Sequence, residues 1–220
     1  WADRIDRSLI NLLTGNTAQT DTKYSANNAI TAPSSTRVVF PNANELTEAS
    51  ISTTSTFSLA FIDRAVAAAK VSTPLIRPLN KDGVDYVCFL HPYQVLALRA
   101  STGTAGSWGD LNRAMLQGGA KQNAWMDGSL GVWNRVLLVE NTRIPTTTTN
   151  VYRAVLCGAQ AGAFAVGQDN APEKMSWVEE LFDYENQLGV SAGMIYGAKK
   201  NLFNSVDFGT ISMPSYAVAV

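Results

Sequence analysis

Charge is what this sequence has least of. Lys, Arg, Asp and Glu make up 16% of its 220 residues, against a usual share of about 25%, and Thr, Ser, Asn and Gln fill the gap. A surface with fewer ions has less to desolvate when a partner covers it. The scarcity therefore fits extensive protein–protein contact, and it equally fits a Thr-rich secreted domain. An excess of one sign is also missing: 17 basic residues face 18 acidic ones, a net charge of −1. That balance argues against a dedicated nucleic-acid-binding module, which needs cations to neutralise phosphates. It leaves room only for non-specific contact with DNA.

Histidine and cysteine are nearly absent. His91 is the sole histidine, and Cys88 and Cys157 are the only cysteines. Each cysteine lies in an apolar run, Tyr86–Leu90 and Ala154–Cys157, so the pair reads as buried, reduced thiols. No disulfide framework is expected, in keeping with intracellular folding. One histidine and two distant cysteines give no ligand spacing, so no metal site is expected, and no cofactor. No apolar run is long enough to span a membrane, and no leader segment is recognisable. Residue 1 is Trp, with no N-cap ahead of it, so the first helix is expected to begin upstream of this chain.

What is present alternates between helical and extended patterning. Ile5, Leu9, Leu12 and Leu13 recur at helical spacing over residues 1–13, with Asp3 and Arg7 four apart, and Gly15 is a stop signal. Residues 16–56 are a long polar stretch, with a possible strand at 37–40. A loop of that length is expected to be ordered by partners or to serve a function, the alternative being Ser/Thr-rich disorder. Phe57, Phe61, Ala65 and Ala68, widened by Ile62, Val66 and Ala69, predict a helix over 57–70 capped by Ser55 or Thr56. A strand follows at 85–90. Pro92 then opens a helix to Arg99, preceded by His91 as a helix-start residue with hydrogen-bonding duty. A Gly/Ser/Thr loop covers 101–109, and Ser107 with Asp110 opens a further helix through Leu111, Met115 and Leu116. Strands are expected at 130–144 and 151–157, with short β pieces over 189–216. The small-residue tract 158–163 suits close packing. Helices and strands mix without a regular βαβ rhythm, which makes the fold class α+β.

One string looks catalytic. Gly189-Val190-Ser191-Ala192-Gly193 matches the G-x-S-x-G nucleophile elbow. A serine nucleophile needs a histidine base held by a carboxylate. No histidine follows Ser191, so the set would have to be His91, Asp127 or Asp183, and Ser191. The elbow also demands a strand–turn–helix, which the pattern lacks. The competing reading is two glycines around a small residue in a tight turn or bulge. Gly103, Gly106 and Gly109 are not followed by G-K-[ST], so they form no phosphate loop. Lys199 and Lys200 read as a basic spot on a solvated face or subunit contact. Glu179, Glu180, Asp183 and Glu185 read as a solvated or interface edge rather than a carboxylate pair for sugar chemistry. No catalytic, cofactor-binding or metal-binding residues are therefore expected, and the chain is expected not to be an enzyme.

Several strings in order resemble one family. They are Phe61-Ile62-Asp63-Arg64-Ala65, Arg77-Pro78-Leu79 and Tyr86 to Gln94. Gly128 to Trp133 and Val139 to Ile144 come next, then Leu156 to Ala161, Phe182-Asp183-Tyr184 and Gly197 to Lys200. Phe203-Asn204 and Asp207-Phe208-Gly209 close the series, and Trp1 to Asp6 leading to Leu13-Thr14-Gly15 resembles the end of a long spine helix. Together they resemble the major capsid proteins of tailed phages of the coliphage N-four-like type. The resemblance implies a Hong Kong 97-like capsid fold with a peripheral (P) and an axial (A) domain. Residues 1–84 would hold the end of the spine helix and part of P, 85–185 the A domain, and 186–220 the return to P. It implies self-assembly into hexamers and pentamers of an icosahedral head around double-stranded DNA. Scaffolding, portal and cement proteins are possible partners. The location would be the virion shell, assembled in the host cytoplasm, with no membrane. An encapsulin-like compartment shell is the nearest alternative, and a serine hydrolase using Ser191 and His91 is the rival from another class.

Overall fold

The computed structural model describes residues 1–101, 107–110, 113, 130–167 and 176–219. Gly103, Gly106, Leu111, Met115, Leu116, Asp127, Gly128 and Ser129 lie outside them. The first helix, α1 (Ala2–Thr14), starts after Trp1 without a side-chain cap and stops at Gly15, whose φ of 66° is left-handed. A Cβ on Gly15 would come within 2.8 Å of Thr31 O, so glycine satisfies both the backbone angle and the close approach. Asp3 and Arg7 pair at 3.3 Å.

Helix α2 (Leu59–Val71) is capped by the Ser58 side chain, which accepts from Phe61 N–H. The start is thus shifted from the Ser55 or Thr56 cap of the sequence pattern, and Phe57 sits before the helix. Strand β1 (Tyr86–Leu90) leads directly into α3 (Pro92–Ala100). The expected strand over 130–144 is two, β2 (Val132–Trp133) and β3 (Val136–Glu140). Asn134 and Arg135, both at positive φ, turn the chain between them, as a two-residue hairpin requires. Next come β4 (Thr146–Thr148) and β5 (Val151–Cys157). Residues 108–110 are helical, and Ser107 Oγ accepts from Asp110 N–H at 3.3 Å, as the capping signal suggested.

The principal sheet runs β12-β5-β1-β3-β2, with β4 beside β5 and β12 spanning Thr210–Tyr216. Only β1 and β3 are parallel; their connection passes through α3. Alternate residues of these strands point to one face. Tyr86, Cys88 and Leu90, Val136 and Leu138, Ala154 and Leu156, and Ile211 and Met213 all join one buried cluster with α2 and α3. Phe61 and Ile62 of α2 are essentially inaccessible, and burial of such a side chain contributes about 1.5–3 kcal/mol. The core therefore draws on residues before 84, on 85–185 and on 210–216.

Six strands stand apart from this sheet, in three pairs. β6 (Gly162–Val166) pairs with β9 (Tyr196–Lys200) beneath α1, and β7 (Ser176–Phe182) pairs with β8 (Gln187–Gly193). β10 (Leu202–Phe203) and β11 (Val206–Asp207) form a small ribbon.

The stretch 16–56 has little regular structure beyond three 3-10 turns at 22–24, 35–37 and 48–50. The run at 37–40 contributes a single parallel bridge, Val38 to Ser212. The stretch is fastened to the rest of the chain at several points. Arg4 Nε donates to Lys23 O, Asn11 Nδ2 to Tyr24 O and Asn28 Nδ2 to Ala198 O. Arg153 grips Glu48 bidentately at 2.7 and 2.8 Å, and its remaining nitrogen donates to Gly15 O at 2.9 Å. That places a cation on the carbonyl end of α1, where the helix dipole favours it. Polar composition signals a loop, but it does not reveal how many of those polar groups find partners at a distance.

Candidate functional site

The catalytic-looking residues are not brought together. Ser191 lies in the middle of β8, opposite Val178 of β7, on a hairpin whose residues are nearly all exposed. Gly189 and Gly193 therefore sit in a regular strand, not in an elbow, a tight turn or a bulge. Gly189 leaves room for the Phe182 ring, whose edge a Cβ would meet at 2.4 Å. Asp183 is in the loop at the hairpin tip, and Asp127 is outside the described residues.

His91 belongs to the other part of the molecule. It caps α3: its Nδ1 accepts from Tyr93 N–H at 3.2 Å, and its own N–H donates to Gln94 Oε1 at 3.0 Å. Its ring stacks on Tyr152 with centroids 4.2 Å apart. Gln94 is fully buried, and its Nε2 donates to Tyr152 O and Ser215 Oγ. His91 thus ties α3 to the sheet, the helix-start duty its position suggested. Burial pulls its pKa below the ordinary value.

Glu45 is a buried carboxylate. Burial opposes its ionisation, but donors from Ser55, Ser52 and Asn42 outweigh that and lower its pKa. Both shifts act in the same direction. The unfolded chain takes up a proton at each site before the folded chain does, so stability falls as pH drops. The His91 contribution is complete above about pH 6.5 and declines below it; that of Glu45 is complete above about pH 4.3 and declines below it. The urea midpoint is expected to hold between pH 8 and 7 and to fall in two stages between pH 6.5 and 3.5. Glu45→Gln should make the lower stage shallower and leave the upper.

The cysteines are free and buried. Burial pushes Cys88 far up and Cys157 to about 12, the latter despite the nearby Lys200 ammonium. Since the thiolate is the reactive form, iodoacetamide labelling of the native protein at pH 8 should be at least about a hundredfold slower than in urea. Rapid labelling of either thiol would contradict their enclosure.

Lys199 and Lys200 part company. Alternation along β9 turns Lys199 outward and Lys200 inward, so Lys200 is neither a solvated nor a surface cation. Lys200 Nζ lies 2.8 Å from Asp207 Oδ1, both side chains 2% exposed. The approach is off the hydrogen-bonding direction, so it is an ion pair first. Asp207 Oδ2 accepts from Ser34 N–H, and Asp207 N–H donates to Ser34 Oγ. Arg37, 1% exposed, donates to Pro74 O; burial pulls its guanidinium down and Asp207 opposes that. This cluster was not foreseen from sequence, although the two-residue period across Lys199-Lys200 carries the signal.

The surfaces left over are of another kind. The apolar groove between α1 and the β6–β9 pair is lined by Leu9, Leu12, Leu13, Phe164 and Lys199 among others, and holds neither His91 nor Ser191. On the β7–β8 hairpin, Glu179, Glu180, Asp183 and Glu185 are exposed beside Trp177, Leu181, Leu188 and Val190. Among the described residues no set of three potential metal ligands converges, and no helix is long and apolar enough to cross a membrane.

A family profile described as phage capsid protein matches residues 1–219. The chain belongs to this phage capsid protein family. Its structure is similar to the capsid of Ralstonia phage GP4, with a TM-score of 0.75 and 27% identity over 98% of this chain and 64% of that one. It is also similar to the capsid asymmetric unit of cyanophage Pam1, with a TM-score of 0.70 and 19% identity over 100% and 65% of the two chains. A further likeness is to a structure of Mycobacterium phage Che8, with a TM-score of 0.54, 13% identity and coverage of 95% and 57%. The fold is accordingly the Hong Kong 97-like capsid fold, in α+β form as the sequence suggested. The chain spans less than two thirds of the length of these chains. No curated protein matches it.

Proposed function

We propose that the chain is part of a structural major capsid protein that builds a phage head by self-assembly. The observation that carries this is the phage capsid family match over residues 1–219. Among the described residues Ser191 and His91 stand on separate elements, which supports a structural role rather than an enzymatic one. Copies would associate through heterologous contacts that close into hexamers and pentamers, placing the protein in the virion shell after assembly in the host cytoplasm. Scaffolding, portal and cement proteins are the corresponding partners, and contact with packaged double-stranded DNA is non-specific given the net charge of −1. Within the family we favour the coliphage N-four-like branch, on the ordered strings around Tyr86 to Gln94 and Asp207-Phe208-Gly209. Residues 1–84 and 186–220 would form the peripheral domain and 85–185 the axial domain, with α2 and β12 lending their apolar sides to the axial sheet.

Negative-stain electron microscopy of the full-length protein purified from expressing cells, with intact mass on the same sample, tests this reading. Closed shells or rings of six and five subunits are expected. A protein that stays monomeric at high concentration would overturn it.

A further inference from the structure

The β7–β8 hairpin has more apolar surface in water than its own fold can account for. Cross-strand register places Trp177, Glu179 and Leu181 on one face with Leu188, Val190 and Ala192. On that face Trp177 is 62% exposed and Leu188 64%. The opposite face carries Val178 and Phe182, both half exposed, with Glu180. No hydrogen bond or ion pair among the described residues joins β7 or β8 to another element; Trp177 Nε1 donates within the hairpin to Glu179. A two-stranded ribbon with both faces in water is marginal by itself, and contiguous exposed apolar surface marks an interaction site. The tip adds to this. Asp183, Tyr184 and Glu185 are all at positive φ, a costly run for non-glycine residues, and it holds the Tyr184 ring wholly in solvent.

Charge says what fits there. Residues 176–193 contain Glu179, Glu180, Asp183 and Glu185 and no Lys or Arg, a charge of −4. A second surface of the same chain has the complementary make-up. Residues 70–81 contain Lys70, Arg77 and Lys81 and no Asp or Glu, a charge of +3, with Asp82 just beyond. All three cations are exposed and take part in no side-chain hydrogen bond or ion pair among the described residues. Between them Val71, Leu75 and Leu79 are 83%, 52% and 42% exposed. This strap is held in place from below. Ile76 is buried, Arg77 O accepts from Ala159 N–H, Pro74 O accepts from Arg37, and Leu79 N–H donates to Asp85 O. It is therefore a fixed surface that loses little freedom on binding.

We infer that the acidic, apolar β7–β8 hairpin of one copy docks on the basic, apolar strap 70–81 of a second copy. The inference rests on the shell reading and names one of its contacts. Apolar burial supplies the attraction, and opposite charge selects the register and the partner surface. Because one surface meets a different one, the contact is heterologous and repeats around a ring or shell.

The test uses full-length protein assembled from an equal mixture of isotopically light and heavy copies. A carbodiimide is added to join carboxylates to amines in direct contact. Mixed light–heavy cross-links between Glu179, Glu180, Asp183 or Glu185 and Lys70 or Lys81 are expected. Lys70→Glu together with Lys81→Glu should raise the concentration for half-maximal assembly about tenfold, and adding Glu179→Lys with Glu180→Lys should restore most of it. Shells that form with the hairpin cross-linked only within its own copy, to another surface or to a different protein would overturn the inference and leave the shell reading standing. Failure of the wild-type protein to form any shell or ring would overturn both.

Discussion

Asp207→Ala is expected to lower the unfolding free energy by about 3–5 kcal/mol, the usual cost of stranding a buried charge. Removing the carboxylate leaves the Lys200 ammonium, 2% exposed, with only the distant Ala32 carbonyl at 3.5 Å. It also takes away the counter-charge near Arg37, whose Nε and Nη1 already have no partner. Ser34 N–H loses its carboxylate acceptor at the same time, while the backbone N–H of residue 207 still donates to Ser34 Oγ. The pair as a whole need not be stabilising. Lys200→Met with Asp207→Leu, which removes both charges, should recover most of the loss. Urea unfolding of the three proteins measures this, and near-equal midpoints for wild type and Asp207→Ala would show the ion pair to be solvated.

Phe61→Ala should cost a similar amount, about 3–5 kcal/mol, by a different route. Phe61 is 1% exposed and meets Phe57 edge-to-face with centroids 5.5 Å apart. It lies in the cluster where α2 covers the principal sheet, so the vacated volume is walled by strands that cannot collapse inward. Phe61→Leu keeps most of the volume and should lose less than half as much. A loss below about 1 kcal/mol for Phe61→Ala would mean that α2 is not seated on the sheet.

These two sites differ in how readily sequence reveals them. The α2 stripe of Phe61, Ile62, Ala65, Val66 and Ala69 is legible because one helix face must be apolar, and all five residues are buried. The β1–α3 junction is legible too, since His91-Pro92 reads as a cap followed by a first-turn proline. The split of 130–144 is less visible: Val132-Trp133 and Val136 to Val139 are both apolar, and only Asn134-Arg135 between them marks the turn. The Lys200–Asp207–Arg37 group eluded the reading for another reason. Its members are 7 and 170 residues apart in the chain, and nothing local distinguishes a cation that will be buried from one that will be solvated. Gly189 to Gly193 shows the converse. A short string can match an elbow while its strand runs through an exposed ribbon, so the string has meaning only in its structural setting. The exposed hairpin itself was legible only as an acidic, aromatic stretch; register was needed to sort its apolar from its acidic positions.

The pairing of β12 with β5 along seven residues bears on how the protein is made. Thr210–Tyr216 follows every other described element in the chain, yet Ile211 and Met213 sit in the same core as α2 and β1. Residues 38–39 and 56 also rest on β12. A chain that stops before Thr210 thus has its central strands and helices but lacks the strand that closes the core, and contacts this remote in sequence form slowly. Translation interrupted before Thr210 therefore leaves the core of the principal sheet open.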